Sequence, residues 1–292
     1  MERHHLWIKS TLDATMQPSI FIKASKCEGK EGEKRPLLVA LHTWSYDRFE
    51  QLPLVEYAEK YNYHLLLPNF RGANLKTNSE CTYACGSVYA MQDIKDAIDM
   101  VCANHAVDEK HIYLYGAGGG GHMALMMASF CPEYFRAIAS FAPITDLKAW
   151  AEENANYREH ILACCSNDET EMIKRSPITY IDTIAKANVK IYHGKYDPIV
   201  SVTHSLYLFE KVFQKYPCAR VCLDVFDGGH ESDMETAMYW FMSQAEDKKK
   251  VQLQDKHNGS YGEYRLTNDE IIEGRQTANI FEYRYERTEG GW

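Results

Sequence analysis

The sequence predicts an α/β fold, a doubly wound and mostly parallel sheet with helices on both faces, from two observations. Short, continuously apolar segments such as Leu37–Leu41 are typical of strands that are buried on both faces of a parallel sheet. They alternate with longer segments such as Met91–Ala106, in which apolar residues recur at helical spacing. Strands that alternate with helices indicate a parallel sheet, because each helix carries the chain back across the sheet.

The predicted elements follow one another in a regular order. Apolar runs bounded by polar turns predict strands, and runs whose apolar residues fall on one helical face predict helices. The expected strands are residues 19–23, 37–41, 64–67, 112–115, 137–141, 189–192 and 221–226. The expected helices are residues 54–61, 91–106, 121–130, 204–216 and 235–244.

Two segments fall outside this alternation. Asp146–Ile184 is long and rich in polar and aromatic residues, which suits a small helical insertion, or lid, over the carboxyl edge of the sheet. Near the end of the chain, in Ile280–Tyr285, apolar and polar residues alternate as in a half-exposed strand. We therefore expect one domain over residues 1–250, which includes the insertion at 146–184, and a C-terminal extension with short β structure over 251–292.

Charge and hydropathy exclude several classes of partner. The 292 residues carry a formal net charge of -9, and an acidic surface repels phosphate backbones, so we expect no nucleic acid partner. No apolar run approaches the roughly 20 residues that cross a bilayer, so no membrane association is expected. The first residues lack the apolar core of a secretion signal, which favours a cytoplasmic location. A chain from which such a signal had been removed would look the same.

The cysteines give no pattern of a metal site or a disulfide framework. There are nine of them, with no CxxC pair. Cys81 and Cys85 lie four positions apart, and Cys164 and Cys165 are adjacent. We expect reduced structural thiols, and neither a metal ion nor an organic cofactor.

The stretch Tyr113–His122 reads YLYGAGGGGH, an apolar run followed by five glycines, and it admits two interpretations. As G-x-G-x-x-G it would be a dinucleotide-binding turn, and the protein would be an oxidoreductase. That turn needs an acidic residue at the end of the next strand to hold the ribose. Here the next strand ends in Ser140–Pro143, with no acidic residue before Asp146, so this interpretation stays an outside alternative. Binding of a nicotinamide cofactor would favour it.

As G-x-S-x-G without its serine, the stretch would be a nucleophile elbow. The elbow needs small residues two positions before and two after the nucleophile, because the tight turn leaves no room for side chains. Gly116 and Gly120 occupy these positions, so Gly118 stands where the serine would be. An acidic residue and then a histidine should follow, each just after a strand. Asp197 and His230 meet this order.

In these motifs the chain resembles the α/β-hydrolase superfamily, and within it the prolyl-oligopeptidase-like serine hydrolases and esterases. The resemblance extends from about Leu37 to Gln244. The chain departs from the pattern at Gly118, where the family has serine, and at Thr43, where many members have glycine. The matching features are Leu41-His42-Thr43-Trp44, Pro68-Asn69-Phe70-Arg71-Gly72, Asp93, the elbow, Asp197-Pro198 and Gly229-His230.

The resemblance implies a Ser-His-Asp mechanism, with Gly118 at the nucleophile position, His230 as the base and Asp197 as the group that orients it. It also implies an oxyanion hole and a substrate pocket, and neither requires a metal or a cofactor. We expect backbone N–H groups of Gly119 and of Thr43 or Trp44 in the oxyanion hole, and the side chains of Trp44, Trp150 and Tyr196 in the pocket.

The resemblance implies cleavage of acyl-ester or amide bonds. The chain lacks the N-terminal propeller domain that large peptidases of the family use, which favours a carboxylic-ester hydrolase over a peptidase. The expected ligand is a small acyl ester or an acylated glycan, and a homo-oligomer is compatible with the sequence.

Glycine at position 118 should leave the chain inactive or nearly so. It would be either a hydrolase with an inactivating Ser-to-Gly change or a natural pseudoenzyme that binds an ester, peptide or glycan. The retained Asp197 and His230 favour the first of these.

Overall fold

A computed structural model describes residues 2–25, 33–245, 249–252 and 263–266. The chain divides into two compact units, Met1–Phe241 and Met242–Trp292. An eight-stranded sheet forms the centre of the first unit. Its strands are β1 (Glu2–Lys9), β2 (Met16–Lys23), β3 (Arg35–Leu41), β4 (His64–Pro68), β5 (Val107–Ala117), β6 (Ala137–Phe141), β7 (Val189–Gly194) and β8 (Val221–Phe226).

The sheet is mostly parallel. Its strand order is β1-β2-β4-β3-β5-β6-β7-β8. Strand β2 pairs antiparallel with both β1 and β4, and every other pairing in this sheet is parallel. The sequence does not predict β1, which is the edge strand next to β2.

Helices cover both faces of the sheet, which confirms the predicted doubly wound α/β fold. They are α1 (Val55–Tyr61), α2 (Val88–Asn104), α3 (Gly119–Phe130), α4 (Leu147–Glu153), α5 (Ala155–Cys164), α6 (Glu169–Lys174), α7 (Ile181–Ile184), α8 (Thr203–Lys215) and α9 (Met234–Ser243). Alternate residues of β3 enter two different cores: Leu37 and Val39 pack with α2, α3 and α8, whereas Leu38 and Ala40 pack with α1 and α9. This explains the continuous apolar run of that strand.

The segment between β6 and β7 is helical, as the sequence predicts for the insertion. It contains α4 to α7, and its apolar residues form a third core with Trp44 and Val200. This core also contains the buried residues Cys81, Cys85, Cys164 and Cys165, and the eight cysteines among the described residues are free thiols.

In the second unit, β9 (Lys249–Gln252) and β10 (Glu263–Leu266) form an antiparallel pair. The strand predicted at 280–285 lies outside the described residues. The domain boundaries at 146–184 and at residue 250 stay predictions. None of the helices in the described ranges combines the length and the apolar character that a bilayer crossing needs.

Candidate active site

The glycine run forms a sharp turn between β5 and α3. Gly118 has φ 52° and ψ -114°, a left-handed backbone conformation that side chains rarely adopt. Its N–H donates to the carbonyl of Phe141 at 2.9 Å, and its own carbonyl accepts from the His122 N–H at 2.9 Å, which begins the helix. The strand, strained turn and helix expected of a nucleophile elbow are therefore present.

The glycines on either side of Gly118 are required by close backbone contacts. A Cβ at Gly116 would lie 2.1 Å from the carbonyl oxygen of Gly120. A Cβ at Gly120 would lie 2.6 Å from the carbonyl oxygen of Leu41. Both distances are far below van der Waals contact, so no side chain fits at either position. This is the steric reason for the spacing in the sequence motif.

Asp197 and His230 meet at the carboxyl ends of two neighbouring strands. Asp197 lies in the loop after β7, and His230 lies in the loop after β8. His230 Nδ1 is 2.7 Å from Asp197 Oδ2, a hydrogen bond between residues 33 positions apart. The parallel pairing of β7 with β8 brings the two loops together at one edge of the sheet.

The other imidazole nitrogen of His230 faces the elbow. A Cβ built on Gly118 would lie 3.2 Å from His230 Nε2 and 3.6 Å from Cε1. A hydroxyl on that carbon could therefore reach Nε2, which is the contact that a serine nucleophile makes with its base. The three positions have the geometry of a triad that lacks only the nucleophilic oxygen.

Four hydrogen-bond donors surround the Asp197 carboxylate, whose side chain is fully buried. Oδ1 accepts the backbone N–H groups of Ile199 at 2.8 Å and Val200 at 2.9 Å. Oδ2 faces His230 Nδ1 and also His193 Nε2, at 3.3 Å. Burial alone would raise the pKa of Asp197, but the hydrogen bonds from His193, His230 and the two amides outweigh it and hold the pKa well below its usual range. The charged carboxylate keeps the His230 proton on Nδ1 and leaves Nε2 as an acceptor.

His193 is a member of the site that the sequence analysis missed. It is fully buried at the end of β7, and its Nε2 lies 2.9 Å from the carbonyl of Val200 and 3.3 Å from Asp197 Oδ2. Because both of these are acceptors, Nε2 carries the proton, and Nδ1 accepts from the Ser205 hydroxyl at 2.7 Å. A histidine at the end of a predicted buried strand, four positions before Asp197, was the available signal.

Two backbone amides line the elbow as an oxyanion hole would require. Gly119 is the first residue of α3, so its N–H has no partner within the helix and lies at the positive end of the helix dipole. A Cβ on Gly119 would lie 2.6 Å from the backbone nitrogen of Trp44, so the Trp44 backbone packs directly against the start of the helix. The Thr43 N–H instead donates to Glu50 Oε2 at 2.6 Å. Of the two alternatives from the sequence, the geometry therefore favours Trp44 over Thr43.

An apolar cavity of about 200 Å³ opens beside Gly118 and His230. Four tryptophan and tyrosine side chains line it: Trp44, Tyr46, Trp150 and Tyr157. Trp150 lies 4.8 Å from Trp44 and 4.6 Å from Tyr157, measured between ring centroids. The predicted pocket residue Tyr196 is not among the lining residues, and 64% of its surface is exposed. The role of Tyr196 in ligand binding therefore stays a prediction, and Tyr157 of the insertion, which the sequence analysis did not name, lines this cavity.

Trp150 is so deeply buried that it should contribute to the stability of the fold as well as to ligand binding. Only 1% of it is exposed, and its indole N–H donates to the carbonyl of Ile199 at 2.9 Å. Truncation of Trp150 to alanine should therefore lower stability as well as alter the pocket, because removing a buried tryptophan opens a large cavity.

Trp150→Phe should destabilise the fold less than truncation to alanine, because it keeps an aromatic ring in the wall. It removes one of the two donors to the Ile199 carbonyl, the other being the Asn154 side-chain amide at 3.1 Å, and it leaves part of the indole volume empty. We therefore expect a loss of about 2 kcal/mol in the free energy of unfolding. Urea unfolding measures this loss. The control is Trp7→Phe on β1, which is 64% exposed and should change little. Equal effects of the two substitutions would contradict the structural role of the bond.

Comparison with known proteins decides between the two interpretations of the glycine run. The sequence model of the prolyl oligopeptidase family matches residues 55–247. This chain belongs to the prolyl oligopeptidase family. The resemblance noted in the sequence and the predicted α/β-hydrolase fold are thereby confirmed. Within the prolyl oligopeptidase family the glycine run is the elbow, so the dinucleotide-binding alternative is not supported.

Curated relatives in the family match only part of this chain. It is 28% identical over 140 residues to "Inactive dipeptidyl peptidase 10" from Mus musculus, and 29% identical over 140 residues to the protein of that name from Rattus norvegicus. Each match covers 48% of this chain and 17% of the relative. The chain therefore corresponds to a small part of these proteins.

Solved structures described as peptidases share the fold over most of the chain. An acylaminoacyl peptidase from Pyrococcus horikoshii matches with a TM-score of 0.67 and 20% identity, over 83% of this chain and 41% of that one. A putative dipeptidyl aminopeptidase IV from Bacteroides ovatus matches with a TM-score of 0.69 and 16% identity, over 82% of this chain and 35% of that one. At such identities the likeness concerns the fold.

Proposed function

We propose that this chain is a member of the prolyl oligopeptidase family that binds peptide-type acyl ligands at the elbow and forms no covalent acyl-enzyme with them. One observation carries the proposal: glycine occupies the position at the elbow from which a side chain would face His230 Nε2, at 3.2 Å. Without a hydroxyl at that point, the first step of the family's chemistry has no nucleophile.

The groups that would hold a ligand are independent of that hydroxyl. The Gly119 and Trp44 amides belong to the backbone and would hold an acyl carbonyl oxygen. The cavity beside them has the size and apolar character to take one side chain of a peptide. A site of this kind can bind without cleaving.

The comparisons favour a peptide-type ligand over the carboxylic ester that the sequence analysis preferred. The matching structures include proteins described as acylaminoacyl peptidase and dipeptidyl aminopeptidase, and the family is that of prolyl oligopeptidase. The curated relatives are described as inactive and come from mouse and rat. We therefore favour a natural pseudoenzyme over a hydrolase altered at position 118.

Calorimetric titration with N-acetylated dipeptide amides tests the proposal. Amides with an apolar residue placed for the aromatic pocket should bind saturably and stay uncleaved, and matched amides with aspartate at that residue should bind more weakly. Methyl esters of the same acyl groups are the comparison for the ester alternative. Binding of the esters but not of the amides would overturn the peptide-type assignment.

Tyr157→Ala provides the matched test of the pocket. Tyr157 is half-buried and lies in the cavity wall, so its removal should weaken binding of the apolar amide several-fold. The control is Tyr239→Ala on α9, whose side chain is 59% exposed and lies outside the cavity lining. If both variants bind as the parent does, the ligand does not occupy this cavity.

A further inference from the structure

We infer that the site hydrolyses activated acyl groups slowly and directly, with a water molecule as the nucleophile at the position that a serine hydroxyl occupies in active relatives. The inference rests on the acyl-binding site proposed above. It does not depend on whether the physiological ligand is a peptide.

The elbow offers room for a nucleophile at one position. A Cβ at Gly118 would have His230 Nε2 at 3.2 Å and Cε1 at 3.6 Å as its nearest neighbours among the described residues, apart from the adjoining chain. At Gly116, Gly120 and Gly121, by contrast, a Cβ would lie between 2.1 and 2.6 Å from backbone atoms. The space in front of Gly118 belongs to the cavity that His230 also lines, and it can hold a water oxygen within hydrogen-bond reach of Nε2.

The base for such a water is fully assembled. The 2.7 Å hydrogen bond to Asp197 fixes the His230 ring and keeps its proton on Nδ1, so that Nε2 can accept a proton. Asp197 stays charged, because four donors hold it, and its charge stabilises the imidazolium that forms. The His230 side chain is 30% exposed, so water reaches it from solvent.

The residues of the site and one water molecule from solvent supply every group that the reaction with an ester needs. The water oxygen attacks the acyl carbonyl carbon while His230 Nε2 takes one of its protons, and the carbonyl π electrons move to the oxygen. The Gly119 and Trp44 amides stabilise that oxyanion. When the carbonyl re-forms, the bond to the leaving oxygen breaks and the imidazolium returns its proton to that oxygen. One ester and one water give one acid and one alcohol, with no acyl-enzyme.

The substrate class follows from the chemistry of the leaving group. A bound water is a weaker nucleophile than an activated serine, so only acyl groups with a good leaving group, such as aryl esters, should react at a measurable rate. Peptide amides, whose amine leaves poorly, should bind and stay intact. The same site can therefore bind peptides without cleavage and still hydrolyse an aryl ester.

Hydrolysis of p-nitrophenyl acetate by the unaltered chain tests the inference. We expect steady release of nitrophenol without a burst, at a rate at most about 10³-fold above buffer. His230→Ala should remove at least about 10²-fold of this rate, because it deletes the general base. His5→Ala, at an exposed histidine on β1, controls for reaction of the ester with surface histidines and should have no effect.

Gly118→Ala tests the position of the water. Its methyl group would occupy the point 3.2 Å from His230 Nε2 and exclude the water, so hydrolysis should be abolished. The backbone N–H groups of Gly119 and Trp44 and the cavity should stay in place. Because alanine is strained at this φ, Asp197→Asn serves as a second variant, since it disturbs the tautomer of His230 without filling the space. It should also lose most of the rate.

Three results would each overturn the inference. The first is a His230→Ala variant that hydrolyses p-nitrophenyl acetate as fast as the unaltered chain, and the second is a folded Gly118→Ala variant that does so. The third is an acetyl group on His230, found by mass spectrometry. The last would show that the imidazole itself is the nucleophile. The calorimetric titration of peptide amides is a separate measurement, so failure of the binding proposal and failure of this inference can be told apart.

Discussion

Replacing Gly118 with serine should convert this chain into a hydrolase that forms a covalent acyl-enzyme. The new hydroxyl would be attached to a carbon 3.2 Å from His230 Nε2, beside the Gly119 and Trp44 amides. Removal of a serine nucleophile typically lowers kcat by on the order of 10⁶, so the gain over the parent approaches this size at most. The measurements are cleavage of aryl esters and of N-acetylated dipeptide p-nitroanilides. A burst of nitrophenol and an acetyl adduct on the introduced serine would identify the acyl-enzyme.

The elbow is already shaped to accept that serine. A Cβ at Gly118 meets no atom below 3.2 Å, whereas Gly116 and Gly120 supply the small neighbours that the turn needs. The left-handed φ of 52° should cost about 1–3 kcal/mol of stability, which a urea titration can detect. Adding His230→Ala to Gly118→Ser should remove the gained activity. A folded Gly118→Ser protein that stays as inactive as its parent would show that the site is deficient elsewhere.

The fold could be predicted from the sequence wherever burial dictates residue type. Strands such as β3 are buried on both faces, so their apolar runs are unambiguous. Strand β1 was missed because it is an edge strand with much of its surface in solvent: Trp7, for example, is 64% exposed. An edge strand is held mainly by backbone hydrogen bonds to its neighbour, here β2. Because any residue type can form these bonds, the sequence gives little indication of such a strand.

The order of the site residues was predictable, and their local contacts were not. Gly118, Asp197 and His230 follow from chain order, because parallel strands bring their loops to one sheet edge. The choice between Thr43 and Trp44 depends on Glu50, whose carboxylate engages the Thr43 amide through a loop contact. Which aromatic residues wall the pocket likewise depends on how the insertion packs against the sheet, and the spacing of residues along the chain does not reveal this.

Arg71 is the centre of a buried charge network that joins three parts of the first unit. It follows β4, and its Nε donates to Asp93 Oδ2 on α2 at 2.5 Å. Its Nη1 donates to Asp13 Oδ2, in the turn between β1 and β2, at 2.9 Å. The side chains of Arg71 and Asp93 are each only 1% exposed. The hydrogen bond from Arg71 also holds the pKa of Asp13 well below its usual range, so Asp13 is charged at neutral pH.

Replacing Arg71 with methionine should therefore lower the free energy of unfolding by about 3–5 kcal/mol, because it leaves the buried Asp93 carboxylate without its cation. Urea unfolding measures this loss. Lys95→Met on α2, the helix that carries Asp93, is the control. The partner of Lys95 is Asp99, whose side chain is 47% exposed, and loss of that pair should cost less than about 1 kcal/mol. The double variant Arg71→Met/Asp93→Leu should recover part of the loss, since it removes the stranded charge as well as its partner. If the double variant is no more stable than Arg71→Met alone, the loss comes from packing around the long arginine side chain and not from an uncompensated carboxylate.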